Sequence, residues 1–168
     1  MTELYGTSVT LRPIREDDVE RLAEILAEPE VAQWWPHYDA DRVRSELLHG
    51  TDVVVFTIES ESEIVGCIQY NEEPAPDYRH ATIDIFLSSA WHGKGLGTDA
   101  VRTMARHLIY DRGHHRLAID PAAANEKAIR TYTRVGFKPV GTLREYERNA
   151  AGRWQDGLLM DLLKKDLQ

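Results

Sequence analysis

The chain has 168 residues, 28 of them acidic and 20 basic, for a net charge of −8; that length favours a single domain. With 42% hydrophobic and 29% charged residues it carries enough apolar material for a core, which excludes a disordered chain and predicts a globular one. The negative balance argues against nucleic acid or an anionic membrane as partner, because both demand clustered positive charge.

Val9 and Leu11 alternate with polar neighbours and predict a first strand ending near Pro13. Glu16, Asp17 and Asp18 then supply the cap and first-turn negative charge of a helix over 16–27, with Val19, Leu22, Ala23 and Leu26 on one face. An aromatic-rich connection, 31–38, leads to a short helix from Asp39 to Gly50 on which Val43 and Leu47 stand four apart. DVVVFTIE and EIVGCIQYN predict an antiparallel hairpin turning at Ser60, Glu61 and Ser62. Strand 80–88 follows, then a glycine-rich turn and a helix to about Asp111 that Gly113 stops. Strand 115–120, helix 125–135 stopped by Gly136, and strands near 137–147 and 153–163 complete an α+β, or mixed α/β, order.

The single cysteine, Cys67, has no intramolecular disulfide partner and reads as a buried strand thiol. The N-terminus shows no signal-peptide pattern and no stretch approaches the ~18 apolar residues of a membrane span, so a cytoplasmic protein is expected. Residues 1–73 hold 17 acidic and 5 basic side chains, whereas 74–168 hold 11 and 15. This asymmetry suggests two ligands of opposite sign, a cation steered by the first half and an anion held by the second.

His92-Gly93-Lys94-Gly95-Leu96-Gly97 lies between a strand and a helix. Glycines there let successive backbone N–H groups point inward, the helix N-terminus adds about half a positive charge, and Lys94 adds a whole one. The turn is an anion cradle suited to a pyrophosphate, although neither a Walker motif nor Gly-x-Gly-x-x-Gly is present. No His-x-x-x-His helix, Cys-x-x-Cys pair or carboxylate–histidine cluster points to a metal.

The glycine turn after a strand, followed by Asn125, Ala128, Tyr132 and Gly136-Phe137, resembles the Gcn5-related N-acetyltransferase (GNAT) superfamily. Closer motifs, Thr10-Leu11-Arg12-Pro13, Val31-Ala32-Gln33-Trp34-Trp35, Ile83-Asp84 and Asp120-Pro121 through Tyr132, are similar to aminoglycoside 6′-N-acetyltransferases. The resemblance implies one domain over 1–168, with a mostly antiparallel twisted sheet of about seven strands flanked by about four helices. It implies acetyl-CoA as cosubstrate, held by His92, Gly93, Lys94, Gly95, Leu96, Gly97 and Thr98 together with Asn125, Ala128 and Tyr132. The backbone near Phe86 and Leu87 would then face the thioester. His92 departs from the Gln or Arg usual in that family.

The acceptor implied is a polycationic small-molecule amine, and the enzyme would be a monomer or homodimer. An aliphatic amine, with a reference pKa of about 10.4, must lose a proton before it attacks. Asp120 is assigned as the base, direct or through a water, and Asp84 as an ammonium anchor, with exchange of the two roles left open. Tyr132 would donate to the departing thiolate. By resemblance Trp34 and Trp35 border the acceptor site, while Glu72, Glu73 and Asp156 are weaker acidic candidates for further amines. Alternatives are a GNAT enzyme acting on a siderophore precursor, polyamine or protein N-terminus, and a non-catalytic acyl-CoA sensor.

Overall fold

The computed structural model describes residues 2–168. Its elements are β1 (Leu4–Tyr5), β2 (Thr10–Pro13), α1 (Val19–Leu26), α2 (Pro29–Ala32), α3 (Ala40–Arg42), β3 (Val54–Ser60), β4 (Glu63–Glu72), β5 (Ala81–Leu87), α4 (Leu96–Arg106), β6 (Arg116–Ile119), α5 (Glu126–Val135), β7 (Lys138–Arg148) and β8 (Trp154–Leu163). Both α3 and α4 run on into a wider π turn, Val43–Leu48 and His107–Asp111 respectively. One sheet takes all eight strands in the order β1-β2-β3-β4-β5-β6-β8-β7, and only β5 and β6 are parallel. The α+β class stands, with eight strands and five helices where about seven and four were expected. The additions are β1, two residues long and too short to show alternation, and α2, a single turn begun by Pro29 at its first position.

Strand alternation sends apolar side chains to both faces of the sheet. On one face Phe56, Ile58, Ile68, Ile83 and Leu117 pack with Val101 and Met104 of α4, Leu108 of the π turn after it, and Tyr132 and Val135 of α5. On the other, Val55, Cys67 and Phe86 pack with Leu22, Ile25 and Leu26 of α1 and with Val43 and Leu47. The hairpin turn is tighter than expected. Ser60 still pairs with Glu63, and only Glu61 and Ser62 turn, both with positive φ, as a two-residue hairpin loop requires.

Asp18, expected as part of the cap and first-turn charge of a helix, is 2% exposed. It accepts from Arg12 at 2.8 and 2.7 Å, from the Arg15 N–H at 2.8 Å and from Thr57 Oγ1 at 2.8 Å, which fastens α1 to β2 and β3. Asp99, in the first turn of α4, is likewise turned inward and accepts the backbone N–H groups of Thr7, Ser8 and Val9.

The feature that positions the site is a break in the sheet. Pairing between β5 and β6 covers only Ala81↔Leu117 and Thr82↔Ala118, so the rest of β5 runs on without a ladder partner on that side. The turn after β5 is held from across the fold by Glu28, which accepts from Ser88 Oγ, Ser89 N and Ser89 Oγ at 2.7–2.9 Å.

Candidate active site

Beyond the last β5–β6 pair lies a cavity of about 560 Å³. Trp34, Trp35 and Tyr38 form its aromatic wall, Gln69 and Asp84 come from β4 and β5, Asp120 from the end of β6, Tyr132 from α5 and Glu147 from β7. Trp35 is fixed edge-on against Phe86, ring centres 5.0 Å apart, so packing from the α1 face orients that wall.

Asp84 sits opposite Gln69 in the ladder and opens toward the cleft. The cleft walls around it disfavour its charged form by desolvation, and the charges of Asp120 and Glu147 add to this. The carboxyl is raised to about 7, despite the Ile85 N–H, which favours the charged form. Burial also raises the neighbouring Glu147 carboxyl, with Asp120 contributing. Tyr132 is 6% exposed. Burial first, then the charges of Asp84 and Asp120, holds its phenol far above the ordinary range, so it remains a proton donor at every working pH. Asp120 accepts a hydrogen bond from the Tyr146 hydroxyl through Oδ2.

The glycine turn adjoins this cavity through β5. Gly93 and Gly95 have φ of 74° and 79°, and a Cβ built on either meets nothing within 4 Å, so the backbone there faces open space. Gly97 is different: its Cβ would stand 3.4 Å from Leu87 and Thr131, and the glycine lets α4 pack closely against α5. His92 uses its ring Nε2 on the Leu87 carbonyl at 2.9 Å, which makes it a brace for the turn. Lys94 places its ammonium 4.9 Å above the Trp91 ring. Open left-handed glycines leading to the free N–H groups of Leu96, Gly97 and Thr98 are a fit cradle for a pyrophosphate. Asn125 caps α5 by accepting the Ala128 N–H at 3.3 Å, and it also lines the cavity.

Asp84, Asp120, Tyr132, Asn125, Trp34 and Trp35 are therefore brought to one cavity. Three acidic candidates are not. Glu72 is engaged by Arg112 and His114, and Arg112 above all holds it down to about 2. Glu73 accepts the Ala75 N–H, and Asp156 accepts the Glu145 N–H. The steering expected from the acidic first half is corrected as well. The residues it contributes to the cavity, Trp34 to Tyr38, Arg42 and Gln69, include no carboxylate. Its acids are partly spent in exposed ion pairs with Arg21, Arg42 and Arg44.

Glu147, Tyr146 and Gln69 were not singled out from the sequence. Gln69 carried a signal, a lone amide in an apolar strand, and its Oε1 is buried without a partner. Glu147 and Tyr146 carried none, because an irregularity in β7 between Leu143 and Glu147 resets which residues face inward.

Among the described residues no group of three or more His, Cys, Asp and Glu side chains is arranged to hold a metal, and no helix is long and apolar enough to cross a membrane.

Residues 8–138 match the model of the acetyltransferase (GNAT) domain. The chain is 30% identical over 156 residues to an aminoglycoside N(6′)-acetyltransferase type 1 of Klebsiella pneumoniae, covering 81% of this chain and 77% of that protein. It is 26% identical over 159 residues to the spermidine N(1)-acetyltransferase of Escherichia coli K12, covering 91% and 84%. Among solved structures, Mycobacterium smegmatis RimJ in complex with CoA-disulfide superposes with a TM-score of 0.81 at 24% identity, over 99% of this chain and 88% of that one.

Proposed function

The chain belongs to the acetyltransferase (GNAT) family, and from that premise we propose that it transfers the acetyl group of acetyl-CoA to a primary amine of a small polycation, foremost the 6′-amine of an aminoglycoside. The observation that carries this reading is the gathering of Asp84, Asp120 and Glu147 with Trp34 and Trp35 around one cavity. Carboxylates answer ammonium groups, and aromatic faces suit sugar rings and cations. The aminoglycoside-acetylating relative supports that acceptor class.

The roles follow from the environments. An ammonium entering the cavity meets the carboxylate of Asp84, which at about 7 is poised to take a proton at neutral pH. This exchanges the roles expected from sequence: Asp84 becomes the base, and Asp120, fixed by Tyr146, the anchoring charge. Gly93, Lys94, Gly95 and the first N–H groups of α4 would hold the pyrophosphate of acetyl-CoA. Bound there, acetyl-CoA supplies a thioester carbonyl at which the C–N bond forms as C–S breaks. Tyr132 Oη gives its proton to the sulfur, and the second amine proton, released as the amide forms, restores the phenol. Cavity walls that fix the amine supply much of the remaining acceleration.

Two results test this reading. Replacing Tyr132 by Phe should lower kcat about a hundredfold while leaving the affinity for acetyl-CoA, measured by calorimetry, unchanged. Thiol release from acetyl-CoA should be fastest with kanamycin- and gentamicin-type acceptors in a panel that also holds spermidine, hydroxylysine and N-terminal peptides. Turnover of spermidine without any aminoglycoside would move the acceptor to a polyamine, a reading that the spermidine-acetylating relative favours. Binding of acetyl-CoA without any turnover would make the domain a sensor.

A further inference from the structure

Asp156 lies outside the cavity, yet it touches both walls that carry Asp120 and its neighbour Tyr146. On one side its Oδ1 accepts the Glu145 N–H at 2.8 Å. Glu145 has φ 47°, a left-handed backbone that a non-glycine residue adopts only when held there, and it lies in the stretch where the β7–β8 register shifts. On the other side the Asp156 carbonyl accepts the Ala123 N–H at 2.9 Å, and Leu158 N–H binds the Pro121 carbonyl at 2.8 Å, which fastens the loop that begins at Asp120. Between these bonds sits Gly157. A Cβ on it would come within 2.9 Å of Tyr146 Cδ2, so the missing side chain is the seat across which the Tyr146 ring reaches Asp120.

We propose that Asp156 is a positioning residue for acetyl transfer: it pins the β7 bulge that delivers the Tyr146 hydroxyl to one oxygen of Asp120, leaving the other oxygen aimed at the acceptor amine. This rests on the reading of Asp120 as an acceptor-site carboxylate. The role assigned to Asp156 is that of a hydrogen-bond acceptor, and its charge is incidental.

The test uses the full chain and the best acceptor of the panel at saturating acetyl-CoA. Asp156→Asn keeps an acceptor oxygen and should stay within about threefold of the wild type, whereas Asp156→Ala should lose about tenfold or more in kcat, the scale at which small misplacements act, with the KM for acetyl-CoA unchanged. Tyr146→Phe should match Asp156→Ala, and the double variant should be no worse than either alone, because both break one linkage. Gly157→Ala, which displaces the Tyr146 ring without touching the clamp, should reproduce the loss even if Asp156→Ala fails to fold. An equal loss for Asn and Ala at position 156 would make the charge itself a ligand and overturn the proposal, as would full activity in Asp156→Ala or Gly157→Ala. If no acceptor is turned over, the functional reading falls and the crystal structure of Asp156→Ala decides the positioning claim. Tyr146 withdrawn from Asp120 upholds it, and Tyr146 seated as before refutes it.

Discussion

Asp84→Asn should lower kcat/KM by about a hundredfold or more, within the range that a positioned general base contributes, and should at the same time make the protein more stable above neutral pH. Both effects have one origin. The folded protein holds the Asp84 carboxyl at about 7 through the loss of bulk water between the cleft walls and the charges of Asp120 and Glu147, against an ordinary 3.8. Between those values the native state keeps a proton that the unfolded chain has released, so stability falls as pH rises through that window, and the full cost is felt above it. Asparagine has no charge to desolvate. Thermal melts at about pH 8 should therefore favour the variant, and the advantage should vanish below about pH 4. In the wild type, kcat/KM should climb as pH passes through about 7, and that limb should be missing from the variant. Equal melting temperatures at high pH, or a pH limb that survives the substitution, would remove Asp84 from the role of base.

The second large effect concerns the fold. Asp18→Ala should cost about 3 kcal/mol, the low end for breaking a buried ion pair from one side, because Arg12 keeps its second partner Glu59 while the Arg15 N–H and Thr57 lose their acceptor, and should lower the melting temperature by on the order of 10 °C. Burial pushes the Asp18 carboxyl up, but the bonds from Arg12, the Arg15 N–H and Thr57 outweigh it and hold the group below its ordinary value. Its contribution is thus fully present above the unfolded pKa and is lost as pH falls through the folded one. Denaturant titrations at pH 7 and at acid pH should show the gap between variant and wild type closing on acidification. Because Asp18 does not line the cavity, kcat below the melting range should not change.

Asp18 also shows why some of the molecule was readable and some was not. Local patterns declared themselves: the Val43–Leu47 spacing, the β3–β4 hairpin and the left-handed Gly113 and Gly136 all depend on neighbours a few residues away. Asp18 looked like first-turn helix charge, and only Arg12 and Thr57, brought in by β2 and β3, turn it into a buried centre. The same holds in the site. Asp84, Asp120 and Tyr132 stood out through their motifs, while Glu147 and Tyr146 owe their places to a shift in strand register that no short window of sequence displays. Asp84 was visible as a candidate, but the rise of its carboxyl comes first from desolvation in a cleft built by distant segments and then from the charges of Asp120 and Glu147. Charge counted by halves of the sequence misled for a related reason, since a field is set by distance in space.

The irregular stretch of β7 has another consequence, for how the molecule meets its neighbours in solution. β7 is the outermost strand of the sheet, and its residues are mostly exposed. A long flat edge of this kind is a template on which another chain can add a strand. Here Pro139 removes one donor from the edge, Lys138, Arg144, Glu145 and Arg148 set charges along it, and the shift between Leu143 and Glu147 breaks its regularity. The kink that brings the Tyr146 hydroxyl to Asp120 and Glu147 to the acceptor wall is thus also a guard against uncontrolled self-association.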